Sequence, residues 1–271
     1  MTNLGSPPIN SRRELIRWTR MVLRELGLRP RKKLSQSFTV DPELIRTIAD
    51  TCNEWHGPVI EVGAGLGALT KALLDRGIEV LAIEIDQRLA TFLKKSMGSE
   101  ILHVVVGDAR EMVLCSRLPV VGNIPYHITS DLLLAIARSR TPKACLTVQL
   151  EVANRLIARP GTKEYGRLTV ITNYLFRKRI LRIFPPSSFY PEPEVYSAVV
   201  VMERVRPYDS TARLIEDVGR CLFSFRRRKL RTALARCFGE CTVDDHLREK
   251  RVYELGVEDI VSIAYTCLGR R

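Results

Sequence analysis

The feature that most constrains the fold is a regular alternation of short apolar runs and helical patterns between residues 58 and 205. The apolar runs are rich in Val and Ile, and the segments between them carry apolar residues at helical spacing. This alternation is typical of parallel strands joined by crossover helices. We therefore predict a doubly wound α/β sheet, followed by a C-terminal region with helical patterns only.

A glycine-rich turn follows the first predicted strand, in the run EVGAGLG of residues 61–67. Glycines such as Gly63 and Gly65 let the backbone pass close to a ligand and let the helix pack near the strand. A tight turn without a ligand would also explain such a run. Its place in the first strand–helix unit of a parallel sheet instead indicates a ligand across the carboxyl ends of the strands.

Two carboxylates stand at the ends of the next two predicted strands, Glu84 and Asp108. Each alone could be an ordinary surface acid. Together with the glycine turn they suit an adenosine group, because Glu84 can accept from ribose hydroxyls and Asp108 from the adenine amino group. The GxGxG spacing, and Glu61 two residues before Gly63, favour S-adenosylmethionine over NAD, since the former has no pyrophosphate to hold.

The tetrapeptide Asn123-Ile124-Pro125-Tyr126 ends the fourth predicted strand, where it would face the cofactor. An adenine amino group is a weak nucleophile, because its lone pair is delocalised into the ring. The Asn123 side-chain oxygen and the Ile124 carbonyl, aimed by Pro125, can accept its two N–H bonds. Tyr126 can stack on a base that has left its helix. A simple strand-end turn is the alternative; we expect His127 to border the site without acting as a base.

An excess of basic residues predicts a polyanionic partner. Lys and Arg number 43 against 30 Asp and Glu, a formal net charge of +13. Nucleic acid and an anionic membrane surface both fit, but no apolar run approaches the roughly 18 residues of a membrane span. The densest cationic cluster is expected to contact RNA phosphates, although a solvated charged face is the alternative; it comprises Arg226, Arg227, Arg228, Lys229 and Arg231.

The cysteine and histidine patterns favour neither a disulfide framework nor a metal site. The seven Cys form no CxxC pair, and the four His are scattered. Cys237 and Cys241, one helical turn apart, are interpreted as buried free thiols. The first residues also lack the apolar region of a signal peptide. We therefore expect a cytoplasmic protein without bound metal.

The chain is predicted to have three parts. Residues 1–33 are a basic N-terminal arm with an amphipathic helix, which ends in a charge run that is either solvated or bound to phosphates. Residues 34–206 are the α/β domain, and Arg206-Pro207 marks its end. Residues 207–271 are a helical domain that carries the cationic cluster.

The ordered motifs resemble those of the small-subunit ribosomal RNA adenine dimethyltransferases, the KsgA type. The resemblance runs from about Lys32 to the C-terminus and rests on the blocks LSQSF, IEVGAGLGALT, IEID, GDA, NIPY, LEVANRL, YGRL, PPSSF and FRRRKLR. It implies a Rossmann-like methyltransferase domain, with a small helical domain. It also implies a monomer that dimethylates two adjacent adenosines near the 3′ end of the RNA in a pre-ribosomal particle.

The resemblance also implies the roles of particular residues. Phe189 would help to hold the flipped base beside the catalytic residues Asn123, Ile124, Pro125 and Tyr126. The residues that would contact S-adenosylmethionine are Gln36, Ser37, Thr39, Gly63, Gly65, Glu84, Asp108 and Asn123.

Two departures from the family pattern concern the Ser37 contact with the cofactor and the choice of substrate. Ser37 stands where the family often has Asn, and the tetrapeptide NIPY is also common in Erm enzymes, which methylate large-subunit RNA. The NIPY form keeps an Erm-type methyltransferase as one alternative. A non-catalytic RNA-binding assembly or transcription factor with the same fold is the alternative from another class. The basic cluster and the closing run LGVEDI favour the small-subunit family.

Overall fold

The computed structural model describes residues 5–29, 37–239 and 241–268. The α-helices in these residues are α1 (Arg12–Glu25), α2 (Pro42–Asn53), α3 (Ala68–Leu74), α4 (Gln87–Met97), α5 (Ala109–Leu114), α6 (Thr129–Arg138), α7 (Leu150–Leu156), α8 (Arg167–Leu175), α9 (Ser210–Leu222), α10 (Leu230–Phe238), α11 (Asp245–Arg248) and α12 (Val257–Leu268). The strands are β1 (Phe38–Thr39), β2 (Val59–Val62), β3 (Val80–Glu84), β4 (Leu102–Val106), β5 (Val120–Asn123), β6 (Lys143–Gln149), β7 (Phe176–Phe184), β8 (Phe189–Tyr190) and β9 (Ser197–Arg204).

The main sheet has seven strands in the order β4-β3-β2-β5-β6-β9-β7. The pairings that join β2 through β6 are parallel, as the alternation predicted. The chain builds outward from β2 to β4 and then returns to place β5 on the other side of β2. Such a reversal opens a crevice at the carboxyl ends of the two central strands.

Glycine is required where β5 lies against β2. A Cβ atom on Gly122 would stand 2.4 Å from the carbonyl oxygen of Val62, far inside van der Waals contact. Gly122 also has φ of +155°, which side chains rarely allow. The close approach of these strands sets the crevice between the glycine turn and Asn123.

A second, two-stranded sheet closes one side of this crevice. β1 pairs antiparallel with β8, so that Thr39 lies opposite Phe189. The Val40 N–H donates to the Ser188 carbonyl over 2.9 Å, and the Ser188 hydroxyl donates to the Asp41 carboxylate over 2.6 Å. These bonds hold the segment that carries Phe189 against the start of α2.

Contacts divide the chain into two compact units. The first comprises the described residues up to Leu150 together with Arg179–Met202, and the second comprises Glu151–Lys178 and the described residues from Glu203. This division differs from the predicted boundaries. The helix α1 belongs to the first unit, because its buried side chains join that core. Helix α8 groups with the C-terminal helices, because it packs on α9 and α12.

The helical second unit contains two disulfides, so the prediction of free helical thiols was wrong. Cys221 of α9 is bonded to Cys237 of α10, and Cys241 is bonded to Cys267 of α12. The pairs are 16 and 26 residues apart, and their proximity comes from helix packing rather than from a short spacing motif. The free thiols are those of Cys52, Cys115 and Cys145.

Within the described ranges, no group of three or more His, Cys, Asp or Glu side chains is arranged to hold a metal ion. None of the helices in these ranges is long and apolar enough to cross a membrane.

Candidate active site

A cavity of about 260 Å³ lies at the carboxyl ends of β2, β3, β4 and β5. It gathers the described residues that the sequence predicted for the site, although they come from distant parts of the chain. These are Ser37, Thr39, Gly63, Gly65, Glu84, Asp108, Asn123, Ile124, Pro125, Tyr126 and Phe189. Gln36, also predicted, lies outside the described residues.

Glu84 organises the glycine turn at the end of β3. One carboxylate oxygen accepts the Gly65 N–H over 2.9 Å, and the other accepts the Asp86 N–H over 3.0 Å. Burial raises the pKa of Glu84, and these hydrogen bonds oppose that rise. A carboxylate has about four lone-pair sites, so each oxygen retains capacity for a ligand hydroxyl.

The turn leaves little space for a side chain at Gly65. Its φ is +57°, and a Cβ atom there would lie 3.2 Å from a ring carbon of Phe38. Phe38 comes from β1, so the two-stranded sheet reaches over the turn. A substitution at Gly65 would strain the backbone and displace this ring.

Asp108 caps α5 and is clasped by Arg110. The carboxylate accepts the Arg110 backbone N–H over 2.9 Å and three bonds from its guanidinium, the shortest over 2.5 Å. This hydrogen bonding to Arg110 lowers the pKa of Asp108, so the acid is ionised at neutral pH. Its lone-pair sites are filled, so a ligand amine must displace part of the clasp.

The orientation of the Asn123 amide is fixed from outside the tetrapeptide. Its nitrogen donates to the Ser37 carbonyl over 3.0 Å. A backbone carbonyl can only accept, so the amide oxygen is the end left for a ligand. Ile124 donates its own N–H to Thr147 over 3.1 Å, and within the described ranges nothing donates to the Ile124 carbonyl. Both predicted acceptors are therefore available.

Two aromatic side chains also line the cavity. The Tyr126 hydroxyl is hydrogen-bonded to the Ser197 hydroxyl over 2.8 Å, which fixes the ring, and burial raises the Tyr126 pKa. Phe189 is only 2% exposed and forms part of the wall. His127 borders the cavity as well, as the sequence predicted.

In the sequence Glu61 favoured S-adenosylmethionine over NAD but was not predicted to line the site, and neither Arg110 nor two residues of α1 were predicted there. Glu61 lines the cavity and is buried, and the Thr70 hydroxyl donates to it over 2.6 Å. Burial raises the pKa of Glu61 to about 8. A carboxylate inside an apolar strand was the available signal. Trp18 and Thr19 also line the cavity, but the pattern of α1 indicates only an amphipathic helix.

The predicted RNA-binding cluster lies in the second unit. Some of its side chains are bound to other described residues of this unit, and others are not. Arg226 donates to the Lys163 carbonyl over 2.6 Å. Glu249 pairs with both Lys229, at 2.6 Å, and Arg231, at 3.0 Å. Arg227 and Arg228 are exposed and form no ion pair with any described residue. These two cations are the ones most open to a partner.

Comparison with known proteins identifies the family. The model of the family described as "Ribosomal RNA adenine dimethylase" matches residues 27–266. The chain belongs to this family.

The relatives of this adenine dimethylase are named as methyltransferases of small-subunit ribosomal RNA. One from Pyrobaculum islandicum, "Probable ribosomal RNA small subunit methyltransferase A", is 42% identical over 233 residues, which cover 86% of this chain and 94% of the relative. Another from Aromatoleum aromaticum, "Ribosomal RNA small subunit methyltransferase A", is 37% identical over 249 residues, which cover 87% and 93%. The resemblance seen in the sequence motifs is thereby confirmed.

Solved structures agree with the fold of the adenine dimethylase. A dimethyladenosine transferase from Plasmodium falciparum superposes with a TM-score of 0.66 at 24% identity, over 82% of this chain and 92% of that one. The 23S rRNA methyltransferase ErmE gives a TM-score of 0.63 at 27% identity, over 85% and 99%. The fold is therefore Rossmann-like with a helical C-terminal region. The protein is a methyltransferase, and its cofactor is S-adenosylmethionine.

Proposed function

We propose that this protein dimethylates the N6 amino groups of two adjacent adenosines near the 3′ end of small-subunit ribosomal RNA. The observation that carries the proposal is the pair of available acceptors, the Asn123 amide oxygen and the Ile124 carbonyl, beside the glycine turn. The names of the relatives at 42% and 37% identity support the small subunit as the source of the RNA.

The cavity residues fit S-adenosylmethionine. Glu84 retains lone pairs for ribose hydroxyls, and the adjacent Ile85 lines the cavity with a side chain that is 70% exposed. Such an apolar surface suits the face of an adenine base. Asp108 would accept a hydrogen bond from the amino group of the base once Arg110 gives up one of its hydrogen bonds to this carboxylate. When bound, the cofactor supplies an electrophilic methyl group on a positively charged sulfur.

The tetrapeptide would prepare the target nitrogen. Two oxygens that accept its N–H bonds hold the amino group in place and favour a geometry with the lone pair less delocalised into the ring. Tyr126 and Phe189 offer aromatic surface to a base that has left its helix. The proton released by the methylated nitrogen passes to water, so the site needs no strong base. Positioning and electrostatics carry the rate.

The substrate particle, the cellular compartment and the oligomeric state also belong to the proposed function. We propose that the substrate is a pre-ribosomal particle and that the protein acts as a cytoplasmic monomer. The formal charge of +13 supports an RNA-rich substrate. An Erm-type reaction on large-subunit RNA is the second candidate, which the likeness to ErmE favours. The intact tetrapeptide and carboxylates count against a non-catalytic factor.

Substitution of Asn123 tests the chemistry. We expect Asn123→Ala to lower the rate of methyl transfer by about 100-fold or more, as when a positioned hydrogen-bonding group is removed from an active site, while RNA affinity stays within about twofold. Asn53→Ala, at the exposed end of α2, is the matched control. Undiminished transfer by Asn123→Ala would remove the proposed role of this residue.

Substrate choice needs a separate assay. Purified protein, labelled methyl donor and unmodified small-subunit particles should give two adjacent dimethylated adenosines near the 3′ end, mapped by mass spectrometry of RNA fragments. Large-subunit RNA should stay unlabelled under the same conditions. Label on large-subunit RNA alone would establish the Erm-type alternative, and no label on either would support a non-catalytic factor.

A further inference from the structure

Helix α1 lies before the residues that the family model matches, yet it is built into the catalytic unit. The match begins at residue 27, whereas α1 ends at Glu25. Its apolar face is buried in the core of the first unit through Leu15, Trp18 and Val22. Trp18 and Thr19 also form part of the cavity wall. The helix is therefore fixed beside the site.

The opposite face of α1 carries a stripe of arginines. Arg13, Arg17, Arg20 and Arg24 follow each other at spacings of four, three and four residues, which places them along one face over about 16 Å. All four are exposed and line a shallow groove. In the part of the chain that the structure describes, Arg13, Arg17 and Arg24 form no ion pair within 4 Å. Their charge is available to an anion.

This helix also contacts the segment that carries Phe189. The Arg12 guanidinium donates to the Ser187 carbonyl over 2.5 Å. The Arg20 guanidinium lies 5.0 Å from the centre of the Tyr190 ring, a cation–π distance. The arginine stripe thus borders the aromatic wall of the cavity, where the proposed function places the target base.

We propose that the arginine stripe of α1 (Arg13, Arg17, Arg20 and Arg24) binds the phosphates of the RNA strand next to the target adenine. This inference rests on the proposed function, because it takes the substrate to be RNA. A basic amphipathic helix can also bind an anionic membrane, but it does so by inserting its apolar face. That face of α1 is buried in the protein core, so charge complementarity to RNA is the better fit.

The test compares two variants that lose the same charge. The stripe variant carries Arg13→Gln, Arg17→Gln and Arg24→Gln, and its control carries Lys94→Gln, Lys95→Gln and Arg117→Gln at exposed sites outside the stripe. Each phosphate contact contributes about 0.7 to the log–log salt slope of single-stranded RNA binding. We expect the stripe variant to lose about 2 from that slope and about tenfold or more in affinity for unmodified small-subunit RNA. The control should lose less than 0.7.

Further measurements keep the inference separate from the proposed function. Both variants should bind S-adenosylhomocysteine and melt as the wild type does, which excludes misfolding. If the wild type methylates small-subunit adenines and the stripe variant binds RNA with an unchanged slope, the inference fails and the proposed function stands. If the wild type transfers no methyl group, the proposed function fails. Binding to phosphatidylserine vesicles that only the stripe variant loses would overturn the inference in favour of a membrane.

Discussion

Single residues of the site were predictable where a strand end gives their position. Glu84 and Asn123 end parallel strands and Asp108 follows one, and the carboxyl ends of such strands meet at one edge of the sheet. The sequence did not predict which neighbouring residues form hydrogen bonds with these side chains. The Arg110 clasp on Asp108 and the Ser37 contact that orients Asn123 depend on side-chain geometry and on contacts across up to 86 residues.

Glu61 provides a prediction on pH and stability. Burial raises its pKa from 4.5 to about 8, so between these pH values the folded protein binds a proton that the unfolded chain has lost. The free energy of unfolding contributed by this group therefore falls as the pH rises through that window. Glu61→Gln keeps an acceptor for the Thr70 hydroxyl but cannot ionise. Its stability relative to the wild type should rise by about 3–5 kcal/mol from pH 4.5 to pH 8.5.

Urea unfolding at several pH values measures this difference. Glu100→Gln, at an exposed position, controls for the loss of a carboxylate and should show a nearly constant difference from the wild type. A difference between Glu61→Gln and the wild type that does not change with pH would contradict the prediction.

At the scale of elements, hydrophobic periodicity predicted the parallel core but not its periphery. Strands β2 to β6 are short apolar runs, which is why they were recognised. The strand β7 was not, because its sequence FRKRILRIF interleaves basic residues. Its place at the end of the strand order explains this composition, since an edge strand is kept from pairing further by exposed charges.

The two disulfides make a prediction for the helical unit. Replacing both Cys221 and Cys237 by Ser opens a loop of 16 residues, which should lower the free energy of unfolding by about 3 kcal/mol. Cys115→Ser, at an exposed free thiol, should change it by less than about 0.5 kcal/mol. Chemical denaturation without reductant measures both. If the wild type in reductant is as stable as the oxidised wild type, the bonds do not stabilise the unit.

At the scale of the whole molecule, the net charge predicted an RNA partner. Only the structure shows which basic side chains are paired with acids and which are free to bind RNA. From the sequence, the basic residues at 226–231 are predicted to form one cationic surface. In the folded chain Glu249 neutralises part of it, because Lys229 and Arg231 both pair with this acid. No local spacing links Glu249 to the cluster, so this pairing was beyond sequence reasoning.

Removing free basic residues and removing the acid that pairs with the others should change RNA binding in opposite directions. Arg227→Gln with Arg228→Gln should weaken binding and lower the log–log salt slope by about 1.4. Glu249→Gln frees Lys229 and Arg231, so it should tighten binding and steepen the slope. Glu258→Gln, an exposed acid of the same unit, should leave both nearly unchanged. Filter-binding titrations from low to moderate salt measure the slopes; a tighter complex in the double arginine variant would reverse our assignment of the free cations.

The pairing of β1 with β8 has a consequence for the order of biosynthesis. It joins residues 38–39 to residues 189–190, so the cavity wall draws on chain that is translated some 150 residues apart. The glycine turn and the tetrapeptide are translated early, but Phe38 has no β-sheet partner until residue 190 leaves the exit tunnel. The pocket is thus completed only after most of the chain has been made, and a nascent chain shorter than that lacks one of its walls.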